Sequence, residues 1–122
     1  MSQVTQLEQQ KSDFKAAIEK RGMASRLMKN RDFRKLILEE FCTAECARYA
    51  QASADPNLSK DEQADALALA QAAGHIRRYL NVVDQMGNHA ENMMGRLDDA
   101  IDEARLEEAE LDLAPVEDSE DD

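Results

Sequence analysis

The sequence predicts an all-α protein: an antiparallel helical hairpin or small bundle with one long C-terminal coiled-coil-like helix and a disordered acidic tail. Three observations carry this. Four Gly and two Pro in 122 residues leave few places where the chain must turn. Aromatic residues are 4% of the chain, with no Trp, and Ala supplies much of the apolar content. Such small, smooth side chains suit close helix-on-helix contact better than a thick interior. Finally, from Leu69 onward apolar residues recur with a period of 3.5, the signature of a left-handed supercoiled contact.

In order along the chain, an N-terminal helical region (1–58) comes first. Val4, Leu7, Phe14 and Ile18 mark one stripe of an amphipathic helix over about 4–20, interrupted by Lys11. Gly22 is a weak break, after which the helix either continues through Met23, Leu27 and Met28 or restarts near Asn30. A second helix is expected over about 31–52, capped by Asn30 or Asp32, with Phe33, Leu36, Ile37, Phe41, Ala44 and Ala47 on one face. Phe33, Ile37 and Phe41 are its largest apolar anchors and define an N-terminal core, each worth about 1.5–3 kcal/mol if buried.

Asp55 and Pro56 then constrain a short connection, and Ser59-Lys60-Asp61-Glu62 has the form of a capping box. So short a link makes the flanking helices antiparallel neighbours. The long helix, 59–113, carries two interleaved series, Leu69, Ile76, Val83, Ala90, Leu97, Ala104, Leu111 and Ala73, Leu80, Gly87, Met94, Ile101, Glu108. Ten of these, Leu69, Ala73, Ile76, Leu80, Val83, Gly87, Ala90, Met94, Leu97 and Ile101, form the expected packing or oligomer seam. Gly87, beside Asn88 and His89, lowers helix propensity by about 1 kcal/mol, as does Gly95. A bend or break near position 87 is the alternative to a continuous helix. The unbroken heptad and the lack of a capping Ser or Thr favour continuity, and Ala73, Gly87 and Ala90 would then mark close approach of a partner helix. Pro115 ends the helix, and 114–122 is expected to be a disordered tail.

Charge is unevenly placed. Positions 1–97 hold 14 basic and 13 acidic residues, whereas 98–122 hold 13 acidic residues and only Arg105, so the formal net charge of −11 arises at the C-terminal end. Candidate contacts there are Glu107, Glu108, Glu110, Asp112, Glu117, Asp118, Glu120, Asp121 and Asp122. Opposing them, Lys20, Arg21, Arg26, Lys29, Arg31, Arg34 and Lys35 form a basic patch diluted only by Asp32. Without aromatic interleaving or finger spacing, and with a repulsive overall charge, direct nucleic-acid binding is not expected.

No apolar run is long enough for a membrane span, and the N-terminus lacks the apolar stretch of a secretion signal. Cys42 and Cys46, one helical turn apart, read as a reduced pair rather than a disulfide. With His75 and His89 they make a conceivable zinc set, but the histidines are about four turns apart on one helix. No metal or cofactor is expected. No nucleophile, cleft-forming acid pair or phosphate-cradling glycine loop is apparent, so enzymatic activity is not expected.

The segment Arg31-Asp32-Phe33-Arg34-Lys35-Leu36-Ile37-Leu38-Glu39-Glu40-Phe41, followed by Glu45, Ala47, Arg48 and Ala54-Asp55-Pro56, resembles a class of small tailed-bacteriophage proteins. The likeness extends through Asp65-Ala66 and Gly74-His75-Ile76-Arg77-Arg78-Tyr79-Leu80. It implies a virion-associated or assembly role, in the host cytoplasm during assembly or in the virion, with no catalytic residues to carry over. The expected partners are further copies of the chain or other phage structural proteins. A second expectation, from charge alone, is an acidic inhibitor or nucleic-acid mimic that binds a basic host surface.

Overall fold

The computed structural model describes residues 2–113, and these are helical apart from short connections. Helix α1 spans Gln3–Lys29. Ser2 caps it, its hydroxyl accepting from the Thr5 amide at 3.1 Å. The helix passes through Gly22 without interruption and ends at Lys29, nine residues beyond the expected Lys20, with Asn30 as its C-cap. Asn30 leaves helical geometry at ψ 126° and starts the next helix, its side-chain oxygen accepting from the Phe33 amide at 2.9 Å. Of the two residues proposed for that cap, Asn30 is the one used.

Helix α2 is a single run in three parts: Arg31–Phe33 is α-helical, Arg34–Glu45 is π-helical, and Cys46–Ser53 is α-helical again. The backbone stays in right-handed helical geometry across both junctions. A π-helical stretch of this length is uncommon, and a local cause is visible. Leu38 O accepts from the Thr43 hydroxyl at 2.8 Å and from the Arg77 guanidinium at 3.1 Å, and Arg77 also reaches Thr43 Oγ1 at 2.6 Å. Both donors converge on a carbonyl inside the π-helical run, a side-chain insertion of the kind that distorts a helical ladder.

The wider winding sets the spacing of the expected N-terminal core. Inward positions come round more slowly than in an α-helix, passing from Phe33 to Ile37 and Leu38, then to Phe41 and Cys42, then to Glu45 and Cys46. Phe33, Ile37 and Phe41 therefore end half-buried, Leu36 swings out to 61% exposure, and Cys42 is the buried residue of α2. Both cysteines are free; the Cys42 thiol points at Ala73 O (3.7 Å) and the Cys46 thiol at Ala70 O (3.5 Å).

After α2, Asp55 organises the turn by accepting from the Asn57 amide at 2.9 Å through its side chain and from Gln63 Nε2 at 2.6 Å through its carbonyl. The capping box then forms in both directions: the Glu62 amide donates to Ser59 Oγ at 3.1 Å, and the Ser59 amide to Glu62 Oε1 at 3.0 Å. Those bonds from Ser59 hold the Glu62 carboxyl below its ordinary pKa.

Helix α3, Lys60–Leu113, is unbroken through Gly87 and Gly95 and rises about 80 Å. Both N-terminal helices lie antiparallel on it, end to end. Helix α1 covers its C-terminal half, with Arg21 at Glu91, Lys11 at Asp98 and Glu8 at Arg105. Helix α2 covers its N-terminal part, with Cys42 at Ala73 and Cys46 at Ala70. The molecule is thus a hairpin with one continuous arm and one arm jointed at Asn30.

Its core is a line rather than a ball. The buried apolar residues are Ala24, Cys42, Ala66, Ala73, Val83, Ala90, Leu97, Ile101 and Ala104, mostly alanines, and no large side chain among the described residues is fully buried. No helix among the described residues is long and apolar enough to cross a membrane.

Candidate functional site

The 3.5-residue seam of α3 faces its own chain. Ala73, Val83, Gly87, Ala90, Leu97 and Ile101 are buried there, and Ile76, Leu80 and Met94 are half-buried. The two ends of the pattern are left out: Leu69 is 41% and Leu111 is 75% exposed. Gly87 is the point of closest approach. A Cβ built there would stand 2.4 Å from Arg21 Cβ and 2.7 Å from Arg21 Cδ, so glycine is required for the two helices to pass.

Around this seam the two flanks of α3 differ in chemistry. On one, Glu91, Asp98 and Arg105 recur every seven residues and close the α1–α3 contact with ion pairs: Arg21–Glu91 at 2.6 Å, Lys11–Asp98 at 2.6 Å and Arg105–Glu8 at 2.5 Å. Arg21 also donates to Asn88 Oδ1 at 2.8 Å. Lys11 and Arg21, which interrupt the apolar stripe of α1, run their stems along the seam and turn their charges to this side.

On the other flank, Ala72, Tyr79, Met86, Met93 and Ala100 also recur every seven residues, and no ion pair joins the helices there among the described residues. An open groove runs between α1 and α3 on that side. One stretch of about 230 Å³ is lined by Asp13, Ala16, Ala17, Lys20, Tyr79, Val82, Val83 and Met86. The adjoining stretch of about 310 Å³ shares Asp13, Ala17 and Met86 and adds Phe14, Gln85 and His89, whose ring meets Phe14 edge-on at 6.0 Å. Tyr79 is 59% and Met86 58% exposed. Met23 and Leu27, three and seven residues past Lys20 on the same stripe of α1, add further exposed apolar surface.

Of the basic patch, Arg21 is consumed by its pair with Glu91, while Lys20, Arg26, Lys29, Arg31, Arg34 and Lys35 are exposed along the joint between α1 and α2. Of the acidic set, Glu107, Glu110 and Asp112 are exposed on the last turns of α3 and Glu108 is half-buried. Glu117, Asp118, Glu120, Asp121, Asp122 and the expected tail lie outside the described residues. The cysteines face Ala70 and Ala73 and His89 faces Phe14; among the described residues no three His, Cys, Asp or Glu side chains converge on a metal-sized site.

The groove was legible only in part. Its seven-residue series stands next to the seam series in the sequence, but one stripe of a helix does not reveal which side a partner leaves open.

No protein family, curated protein or solved structure matches the chain. Its functional reading therefore rests on these surfaces. An apolar, convex-walled and open groove offers a helix or an extended apolar face a place to lie, and offers a small polar substrate few converging groups.

Proposed function

We propose that this chain is a non-enzymatic structural or adaptor protein that works by helix-to-helix contacts, in the setting its resemblance implies: a bacteriophage particle or its assembly, in the host cytoplasm or the virion. The supporting observation is that the seam of α3 is filled by the chain's own α1 and α2 while a second seven-residue apolar stripe on one flank leaves Tyr79 and Met86 exposed and Met93 half-buried. Stable monomers rarely expose a contiguous apolar strip, and one rimmed by Asp13, Lys20 and His89 has the composition of an interaction surface. The test is affinity purification of the tagged chain from cells producing the particle, beside the Met86→Glu, Met93→Glu double variant. Recovery of a particle structural protein by the wild type and its loss from the variant is expected; the same recovery by both, or by neither, sinks the reading.

The acidic inhibitor reading draws on one observation of its own: Asp99, Asp102, Glu103, Glu107 and Glu110 are all exposed on the outer end of α3. Binding through them to a basic protein would be strongly screened by salt and weakened by deletion from Pro115 onward. Unchanged binding after that deletion would remove 115–122 from the mechanism.

A further inference from the structure

We infer that the open flank of α3 takes a second copy of this chain, running antiparallel about a two-fold axis at Met93. The inference rests on the helix-contact reading above and names its first partner. Within the series on that flank, reflection about Met93 brings Met86 onto Ala100 and Tyr79 onto Glu107 of the other copy. The first pairing sets a large side chain over a small one, as interdigitating helices require. The second supplies charge: Lys20 lines the groove beside Tyr79, so each exposed Lys20 ammonium comes to the Glu107 carboxylate of its neighbour. Isologous contacts of this kind occur twice across a two-fold axis, and each is satisfied by the same residues.

The orientation follows from the same charges. A parallel, in-register pair would stack Glu107 on Glu107 and Lys20 on Lys20, and would place the two acidic ends, Asp98 to Asp112 with Arg105 as sole cation, side by side. The antiparallel pair moves each acidic end toward the basic joint, where Lys20 to Lys35 carries seven cations and one carboxylate. The available area is sufficient. A stable interface covers about 800 Å² per partner; a face two helices wide is about 20 Å across, and from Tyr79 to Glu107 α3 rises about 42 Å.

Sedimentation of the purified full chain at micromolar concentration is expected to give a dimer. Met86→Glu with Met93→Glu should raise its dissociation constant by about a hundredfold or more with the helical circular dichroism unchanged, since the two side chains lie on the open flank. Lys20→Glu should weaken the dimer by about tenfold, and adding Glu107→Lys in the same chain should restore it, because only an antiparallel pair sets position 20 against position 107. A monomeric wild type overturns the inference, as does a dimer indifferent to the Met86 and Met93 changes or a charge swap that fails to restore binding. A monomer that still recovers a particle protein through this flank would leave the adaptor reading standing while removing the second copy from it.

Discussion

The two halves of α3 carry the same 3.5-residue pattern but meet partners that answer it differently. Opposite α1, from about Leu80 to Ala104, the partner keeps ordinary α-helical winding, passes close at Gly87, and closes one flank with three ion pairs. Opposite α2, the partner changes its own winding instead: the π-helical stretch Arg34–Glu45 turns Cys42 inward, and Arg77 crosses over to bond Leu38 O and Thr43. A regular heptad in one helix thus does not impose regular winding on its partner. The partner can meet it by matching period with small residues, or by widening its turns and recruiting polar bonds from the other side.

That comparison can be tested by substitutions that act on one half alone. The largest effect is expected from Leu97→Ala in the α1 half, where a nearly buried side chain has no second layer to collapse onto the cavity. A loss of about 2–4 kcal/mol should appear as a fall of roughly 10 °C or more in the thermal midpoint. Gly87→Ala comes next. Helix propensity alone would make it stabilising, but the new Cβ meets the Arg21 side chain close to its own Cβ, and a net loss of about 1–3 kcal/mol is expected in denaturant titration. If Gly87→Ala stabilised the protein, the close pass of α1 would be wrong.

In the other half, Arg77→Met removes the donor to Leu38 O and Thr43. A loss of about 1 kcal/mol is expected, with amide hydrogen exchange accelerated around Leu38 to Cys46 and unchanged opposite α1; uniform acceleration would contradict two separately built halves. Ser59→Ala removes half of the capping box that joins α2 to α3, for about 1 kcal/mol. The paired carboxylate adds a pH signature. Since the Glu62 pKa is depressed in the folded chain, its contribution is fully present above the ordinary carboxylate range near about 4.3 and lost as pH falls through the lower folded value. Ser59→Ala should flatten that acid limb. The smallest effect is a gain: Gly95→Ala, with no atom within 4 Å of the new Cβ, should stabilise by about 0.5–1 kcal/mol, the opposite sign to the same change at Gly87.

The capping box at Ser59, the antiparallel reversal after Asp55-Pro56, and the length and seam of α3 were all readable in the sequence. Each depends on residues close in the chain: a side chain reaching an amide three positions on, or a stripe set by helical period. Even Gly87 was legible as either a break or a close contact. What the sequence could not choose was which, since a glycine's cost to a helix is local while its benefit lies in a side chain 66 residues away at Arg21.

The tertiary structure decided the rest. It extended α1 to Lys29, because an isolated weak break at Gly22 does not stop a helix whose far side is held by α3. It widened α2, so that Cys42 is buried beside the half-buried anchors Phe33, Ile37 and Phe41, with bonds from Arg77 to Thr43 and Leu38, 34 and 39 residues distant. By spending the seam of α3 on its own chain it also moved the candidate interaction surface one step around the helix, to Tyr79, Met86 and Met93. Local periodicity fixes which residues of a helix are apolar; only the packing of the other helices determines which apolar stripe is already covered.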